Sequence, residues 1–197
     1  VALSPMGLLS GADEQPLTWR EVRQHVREIK RRGIRQFLAL LQYARKQERD
    51  EAPKPPLFGD EIEYMVLHLS KKHKRARLSL RGSDIVTSVA ETELPDMLVH
   101  PEYGRHQLEV TPSRPYFAGV DGVLEMEKNI HRRRAILEKM MGPDEFLVTL
   151  SAFPLMGVGR FTEPALPAGG PIARSVFIPD GLINPHPRFD TLTANIR

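Results

Sequence analysis

Gly59-Asp60-Glu61-Ile62-Glu63-Tyr64-Met65-Val66-Leu67 is the stretch on which the reading of this chain turns. Successive side chains of a strand point to opposite faces, so positions i and i+2 share one. As a strand, this stretch sends Glu61 and Glu63 to one side and Ile62 and Tyr64 to the other. Strand formers continue to Leu69, Lys71 to Lys74 reads as a turn, and Arg75 to Leu80 alternates polar with apolar, which together predict a β-hairpin. Taken alone, a Glu-x-Glu pair is usually a solvent-facing strand edge. The apolar run Tyr64 to Leu67 instead marks a central strand, whose acidic face borders either solvent or a cleft.

A second acidic pair lies downstream, Glu102 and Glu109 within Pro101-Glu102-Tyr103-Gly104-Arg105-His106-Gln107-Leu108-Glu109-Val110-Thr111-Pro112. His106 to Thr111 reads as a short strand with Gln107, Glu109 and Thr111 on one face. A seven-residue offset is odd, so Glu102 and Glu109 converge only if the chain bends between them, at Gly104. Two like charges about 4 Å apart repel by about 4 kcal/mol at an effective dielectric near 20. Four gathered carboxylates therefore shift their pKa values, find basic partners, or hold divalent cations. In a cleft they suit Mg²⁺, a hard ion that prefers oxygen ligands and can neutralise charge on a phosphoryl group.

Composition narrows the class. The chain has 197 residues, enough to bury a core, with 41% hydrophobic and 27% charged residues, the balance of a globular protein. Its longest apolar runs are too short to span a bilayer. No cysteine is present, which excludes disulfides and thiolate metal sites and is compatible with the cytosol. A net charge of +3 and basic clusters at Lys30–Arg32, 71–77 and Arg132–Arg134 raise nucleic-acid binding as one reading. Aromatics are only 7% and are not interleaved with those clusters, so no base-stacking platform is indicated. Gly157-Val158-Gly159 lacks a dinucleotide fingerprint's third glycine, and no phosphate-binding P-loop sequence occurs.

The predicted organisation is α+β. Val1–Pro5, ahead of Met6, reads as an expression remnant, residues 6–153 as the α+β part, and 154–197 as a Pro/Gly-rich extended segment. Thr18-Trp19-Arg20-Glu21 forms a capping box for a helix bearing Trp19, Val22, Val26 and Ile29 on one face. Lys30-Arg31-Arg32-Gly33 reads as its end, followed by a second helix through Ile34, Phe37, Leu38, Leu41 and Ala44. Ala52-Pro53-Lys54-Pro55-Pro56 is a stiff connector. Residues 83–100 read as a short helix followed by loop, Val120 to Met141 as a long helix, and Glu145 to Phe153 as a buried strand. Consecutive residues turn about 100° on a helix, so at least one of Arg132, Arg133 and Arg134 faces the protein body. From Pro154 to Pro187 periodicity disappears, the signature of a segment that wraps around something else.

Several of these motifs, in this order, resemble the N-terminal part of the eukaryotic-type glutamate–cysteine ligase catalytic subunit. Met6-Gly7-Leu8-Leu9-Ser10 and Pro16-Leu17-Thr18-Trp19 are similar to the family's opening, and Gly59 to Met65 to its first acidic motif. Pro101-Glu102-Tyr103-Gly104 through Glu109-Val110-Thr111-Pro112 resembles the second. Phe177-Ile178-Pro179-Asp180, Ile183 to Phe189 and Thr191 to Arg197 resemble a third. The resemblance implies a glutamine synthetase-like antiparallel sheet with flanking helices, incomplete in this chain. It implies ATP-dependent ligation of the γ-carboxylate of glutamate to the amine of cysteine through γ-glutamyl phosphate, the first step of glutathione biosynthesis. Mg²⁺, or Mn²⁺ in its place, is then held by glutamates corresponding to Glu61, Glu63, Glu102 and Glu109, with ATP as co-substrate.

The same resemblance implies a cytoplasmic protein whose partners are its substrates and a modifier subunit or second copy, with no nucleic acid and no membrane. Family members run to several hundred residues, so the isolated chain is expected to be inactive. Leu155 stands where relatives commonly carry the arginine of Phe-Pro-Arg. The rival expectation is a catalytically inactive binding or regulatory module that keeps the fold.

Overall fold

The computed structural model describes residues 17–50, 55–92, 94 and 96–195. Val1–Pro5, the Met6–Ser10 motif, Pro16, the Ala52–Lys54 part of the connector and Ile196-Arg197 lie outside the described residues. Two compact units are distinguished, one containing the first helix and one spanning Pro56–Ala194.

The first helix, α1 (Trp19–Asp50), opens on the expected capping box. The Glu21 N–H donates to Thr18 Oγ1 (3.4 Å) and the Thr18 N–H donates to Glu21 Oε2 (2.7 Å), which satisfies two end-of-helix donors reciprocally. The expected break at Gly33 is absent, and α1 runs through it for 32 residues. The cations read as end-capping serve a different purpose. Arg31 Nε (2.7 Å) and Arg32 Nε (2.6 Å) both donate to Glu28, one turn back on the same helix. A glycine inside a helix costs about 1 kcal/mol. Ending and restarting the helix would instead leave several backbone groups unpartnered.

The second unit runs β1 (Leu57–Phe58), β2 (Ile62–Ser70), β3 (Arg75–Ser79), α2 (Gly82–Thr92), β4 (Met97–Pro101), β5 (Gln107–Pro112), β6 (Tyr116–Phe117) and α3 (Val120–Glu138). It continues with β7 (Glu145–Val148), β8 (Thr162–Glu163), a 3-10 turn at Asp180–Leu182 and α4 (Pro187–Asn195). This is the α+β class expected. The six-stranded sheet has the order β4-β5-β2-β3-β8, with β7 also paired to β2. All pairings are antiparallel except β3 with β8. Met65 pairs with both Gln107 and Val148, and Leu67 with both Leu78 and Phe146. One edge of β2 therefore faces β7, while β5 and β3 share the other. The segment quoted first is the centre of the sheet.

Three expectations shift. The loop expected after α2 contains β4, the buried strand expected over Glu145 to Phe153 stops at Val148, and the segment expected to stay extended over 154–197 turns helical in α4. The alternation along β2 builds two cores. Tyr64 and Val66 join Leu108, Val110 and Leu147, with Ile85 and Val89 of α2 and Leu137 of α3 packed over them. On the opposite face Met65 and Leu67 join Leu78 and Leu80 under Phe153, Phe161 and Leu182. The Pro/Gly-rich segment thus packs on the second face of the sheet through Phe161 and Leu182.

Ser79 on β3 is buried and donates to Glu145 Oε1 (2.6 Å). Burial pushes the Glu145 carboxyl up. The bonds from Ser79, from the Gly142 N–H (2.8 Å) and from Arg81 (2.5 Å) together outweigh that and leave its pKa lowered. A lowered folded-state pKa gives stability above the unfolded pKa that is lost as pH falls through the folded value. Ser79→Ala is expected to cost about 1.5–3 kcal/mol at pH 7 in urea denaturation, and less at pH 3. An equal loss at both pH values would remove the carboxylate from the explanation.

Candidate metal centre

The four glutamates come together on the second face of the sheet. Glu63 lies directly opposite Glu109 in the β2–β5 register, and His100 lies opposite Glu109 in the β4–β5 register. Glu102 follows His100 by two positions, just past the end of β4. Glu102 and Glu109 sit on the two arms of the β4–β5 turn, with the chain bending between them at Gly104 as expected. Gly104 makes that turn tight, since a Cβ there would approach His106 Nδ1 to 2.8 Å. Glu61, two residues before Glu63, lines an open cleft of about 500 Å³ with Gly59, Asp60, Thr111, Pro112 and Pro115.

Glu109 registers the crowding. Its carboxyl is pushed up to about 7, first by burial, then by a hydrogen bond with Glu102 and the charges of Glu61, Glu102 and Glu63. The other three predicted residues therefore all act on Glu109. His100 was not among the predicted site residues. Burial lowers its pKa, and the Glu61 charge partly offsets this. The Met97-Leu98-Val99-His100 alternation, with Met97 and Val99 buried, is the signal that could have found it.

Two anchors hold this arrangement. Arg133 of α3, 1% exposed, donates through Nη1 to the Val110 carbonyl (2.9 Å) and through Nη2 to Asp60 Oδ2. It ties the lead-in of Glu61 to the residue after Glu109, and it is the buried member of the arginine triplet. The other anchor is on the β4–β5 turn, where the Arg105 N–H donates to the Leu182 carbonyl (2.9 Å) and the Asn184 N–H to the Tyr103 carbonyl (2.8 Å).

Beside the Glu63–Glu109 rung lies the Met65–Gln107 rung, which floors a cavity of about 410 Å³. Its walls are mostly apolar, including Phe153, Met156, Ile178, Leu182 and Ile183. Buried His106 also lines it, and burial lowers its pKa to about 4, so the ring is neutral near pH 7. An uncharged apolar chamber therefore adjoins an acidic wall.

Four carboxylates gathered about Glu109 supply only hard oxygen donors, the chemistry that suits Mg²⁺ or Mn²⁺. A bound cation would relieve the repulsion that raises Glu109. Among the described residues no three His, Asp or Glu side chains already converge on one cation position. The carboxylates are gathered around Glu109 but not closed.

The geometry has close company among known sequences. The family model described as glutamate–cysteine ligase matches residues 7–197. The chain is 38% identical over 215 residues to the glutamate–cysteine ligase of Neurospora crassa, covering 98% of this chain and 28% of that protein. It is 35% identical over 200 residues to the glutamate–cysteine ligase catalytic subunit of Homo sapiens, covering 98% of this chain and 30% of that one. With the glutamate–cysteine ligase of Saccharomyces cerevisiae it shares 36% over 213 residues, again 98% of this chain and 30% of the relative. The chain thus spans a little under a third of the length of these relatives. It belongs to the glutamate–cysteine ligase family.

Proposed function

We propose that this chain carries the cation-binding wall of an ATP-dependent ligase joining the γ-carboxylate of glutamate to the amine of cysteine through γ-glutamyl phosphate. On this reading the sheet is part of a glutamine synthetase-like antiparallel sheet, and the protein serves glutathione biosynthesis in the cytoplasm. The observation that carries the reading is the gathering of Glu61, Glu63 and Glu102 around Glu109, in a chain of this family. Glu61, Glu63, Glu102 and Glu109 are the residues that would hold Mg²⁺. The ion, when bound, supplies charge neutralisation for the phosphoryl group of ATP.

The chain's own residues do the positioning. Glu63 and Glu109 present oxygens from adjacent strands, Glu102 adds a third from the turn, and the Asp60–Arg133 pair keeps the Glu61 lead-in against β5. The apolar cavity beside them offers a water-poor space for an uncharged part of a substrate. A modifier subunit or a second copy is the proposed partner; the human, rat and mouse relatives are named as catalytic subunits. No described helix is long and apolar enough to cross a membrane.

The test is a Mn²⁺ titration of the 197-residue chain followed by electron paramagnetic resonance. Saturable binding is expected, weakened in Glu61→Gln, with no ligation by the chain on its own. A chain that binds no Mn²⁺ would favour the inactive-module reading, and wild-type-like ligation by it would overturn the expectation that further protein is needed.

A further inference from the structure

The turn that carries Glu102 is held by side chains from far along the sequence. Tyr103 Oη lies 2.8 Å from Thr193 Oγ1 on α4. The Thr193 hydroxyl has one proton, and it donates that proton to the Phe189 carbonyl one turn back (2.7 Å). Tyr103 is therefore the donor to Thr193, and the chain of bonds has a fixed direction. The Tyr103 ring also meets Phe189 edge to face, with centroids 5.8 Å apart, and Phe189 in turn packs on His186 at 5.7 Å. Aromatic pairs of this geometry prefer one orientation, so the ring is fixed in direction as well as in place.

The main chain of the same residue faces the acidic cluster. The Tyr103 N–H donates to Glu102 Oε2 (3.1 Å), and Glu102 in turn hydrogen-bonds Glu109. One residue thus touches α4 with its side chain and a site carboxylate with its backbone. We infer that Tyr103, locked by Thr193 and Phe189, is a positioning residue that aims the Glu102 carboxylate into the cation site. This deepens the cation-site reading and rests on it. α4 then has a role beyond packing: it sets the direction of one of the oxygen donors. Groups that orient a ligating carboxylate typically change metal affinity about 10- to 100-fold when removed.

The experiment uses the 197-residue chain with Mn²⁺ as probe, reading affinity by electron paramagnetic resonance and folding by thermal melting. Tyr103→Phe keeps the ring against Phe189 and removes the donor, and Thr193→Val removes its acceptor. Each is expected to weaken Mn²⁺ about tenfold with the melting temperature unchanged, and Thr193→Ser to restore affinity to within about twofold. Unchanged affinity in Tyr103→Phe and Thr193→Val, beside clear binding by the parent chain, would overturn this inference alone. So would a fall in melting temperature that tracks the loss of affinity, since the contact would then be general scaffold. Absence of Mn²⁺ binding in the parent chain would instead remove the cation-site reading, and this inference with it.

Discussion

Arg133→Ala is expected to lower the stability of the Pro56–Ala194 unit by about 3–5 kcal/mol, because it strands a partly buried carboxylate. Arg133 is 1% exposed on its side chain and Asp60 12%, so the remaining charge has little access to water. The Val110 carbonyl loses its guanidinium donor in the same step. Thermal melting should show a fall on the order of 10 °C. Arg133→Lys should recover little. A single ammonium cannot reproduce the planar fork that bonds the β5 carbonyl and the Asp60 carboxylate together. Arg133→Met combined with Asp60→Asn should cost less than Arg133→Ala alone, since no unpaired charge remains. A loss under about 1 kcal/mol for Arg133→Ala would mean the pair is solvated in solution and does not hold the strands.

The same arginine shows how far the sequence could be read. Three consecutive helical positions spread over more than half the helix circumference, and on that ground the sequence reading placed an arginine toward the body of the protein before its partner was known. The partner, Asp60, sits 73 residues away. Local pattern carries no information about such a distance. The β2–β3 hairpin was legible because strand formers, a four-residue turn and alternation all lie within twenty residues. Strand β4 was not, because Met97 to Pro101 is short and owes its extended form to pairing with β5.

Helix α4 hid behind composition. Prolines and glycines before it masked a proline at the first helical position with Asp190 in the first turn, which is itself a start signal. Gly33 misled in the opposite sense. Cations followed by glycine describe a helix end only if the cations are free to cap it, and Arg31 and Arg32 are bound to Glu28. For the site, the i and i+2 rule placed Glu61 and Glu63 on one face. Their apposition to Glu109 and His100 depends on register between strands, which no single segment encodes.

Glu109→Gln is expected to move stability and cation binding in opposite directions. Glu109 titrates at about 7 in the folded chain, raised by burial and then by its acidic neighbours, against roughly 4.3 when unfolded. Between those values the folded state holds a proton that the unfolded state has released. The stability this group contributes is therefore fully present below the unfolded pKa and is lost as pH rises through about 7. Glutamine cannot ionise, so without metal the variant should melt higher than the parent at pH 8 and close to it at pH 4. With a divalent cation the order inverts. The ion needs the ionised carboxylate, so parent affinity for Mn²⁺ should climb as pH passes 7, with up to about one proton released per ion bound. Calorimetry in two buffers of different ionisation enthalpy measures that release. The variant has no such proton to give up and should bind at least about tenfold more weakly. In a longer protein containing this chain, ligation should fall about 100-fold. A variant that melts higher yet binds Mn²⁺ as the parent does would leave Glu109 a crowded carboxylate with no part in holding the cation. One that binds weakly without melting higher at pH 8 would mean that its neighbours do not repel it in the free chain.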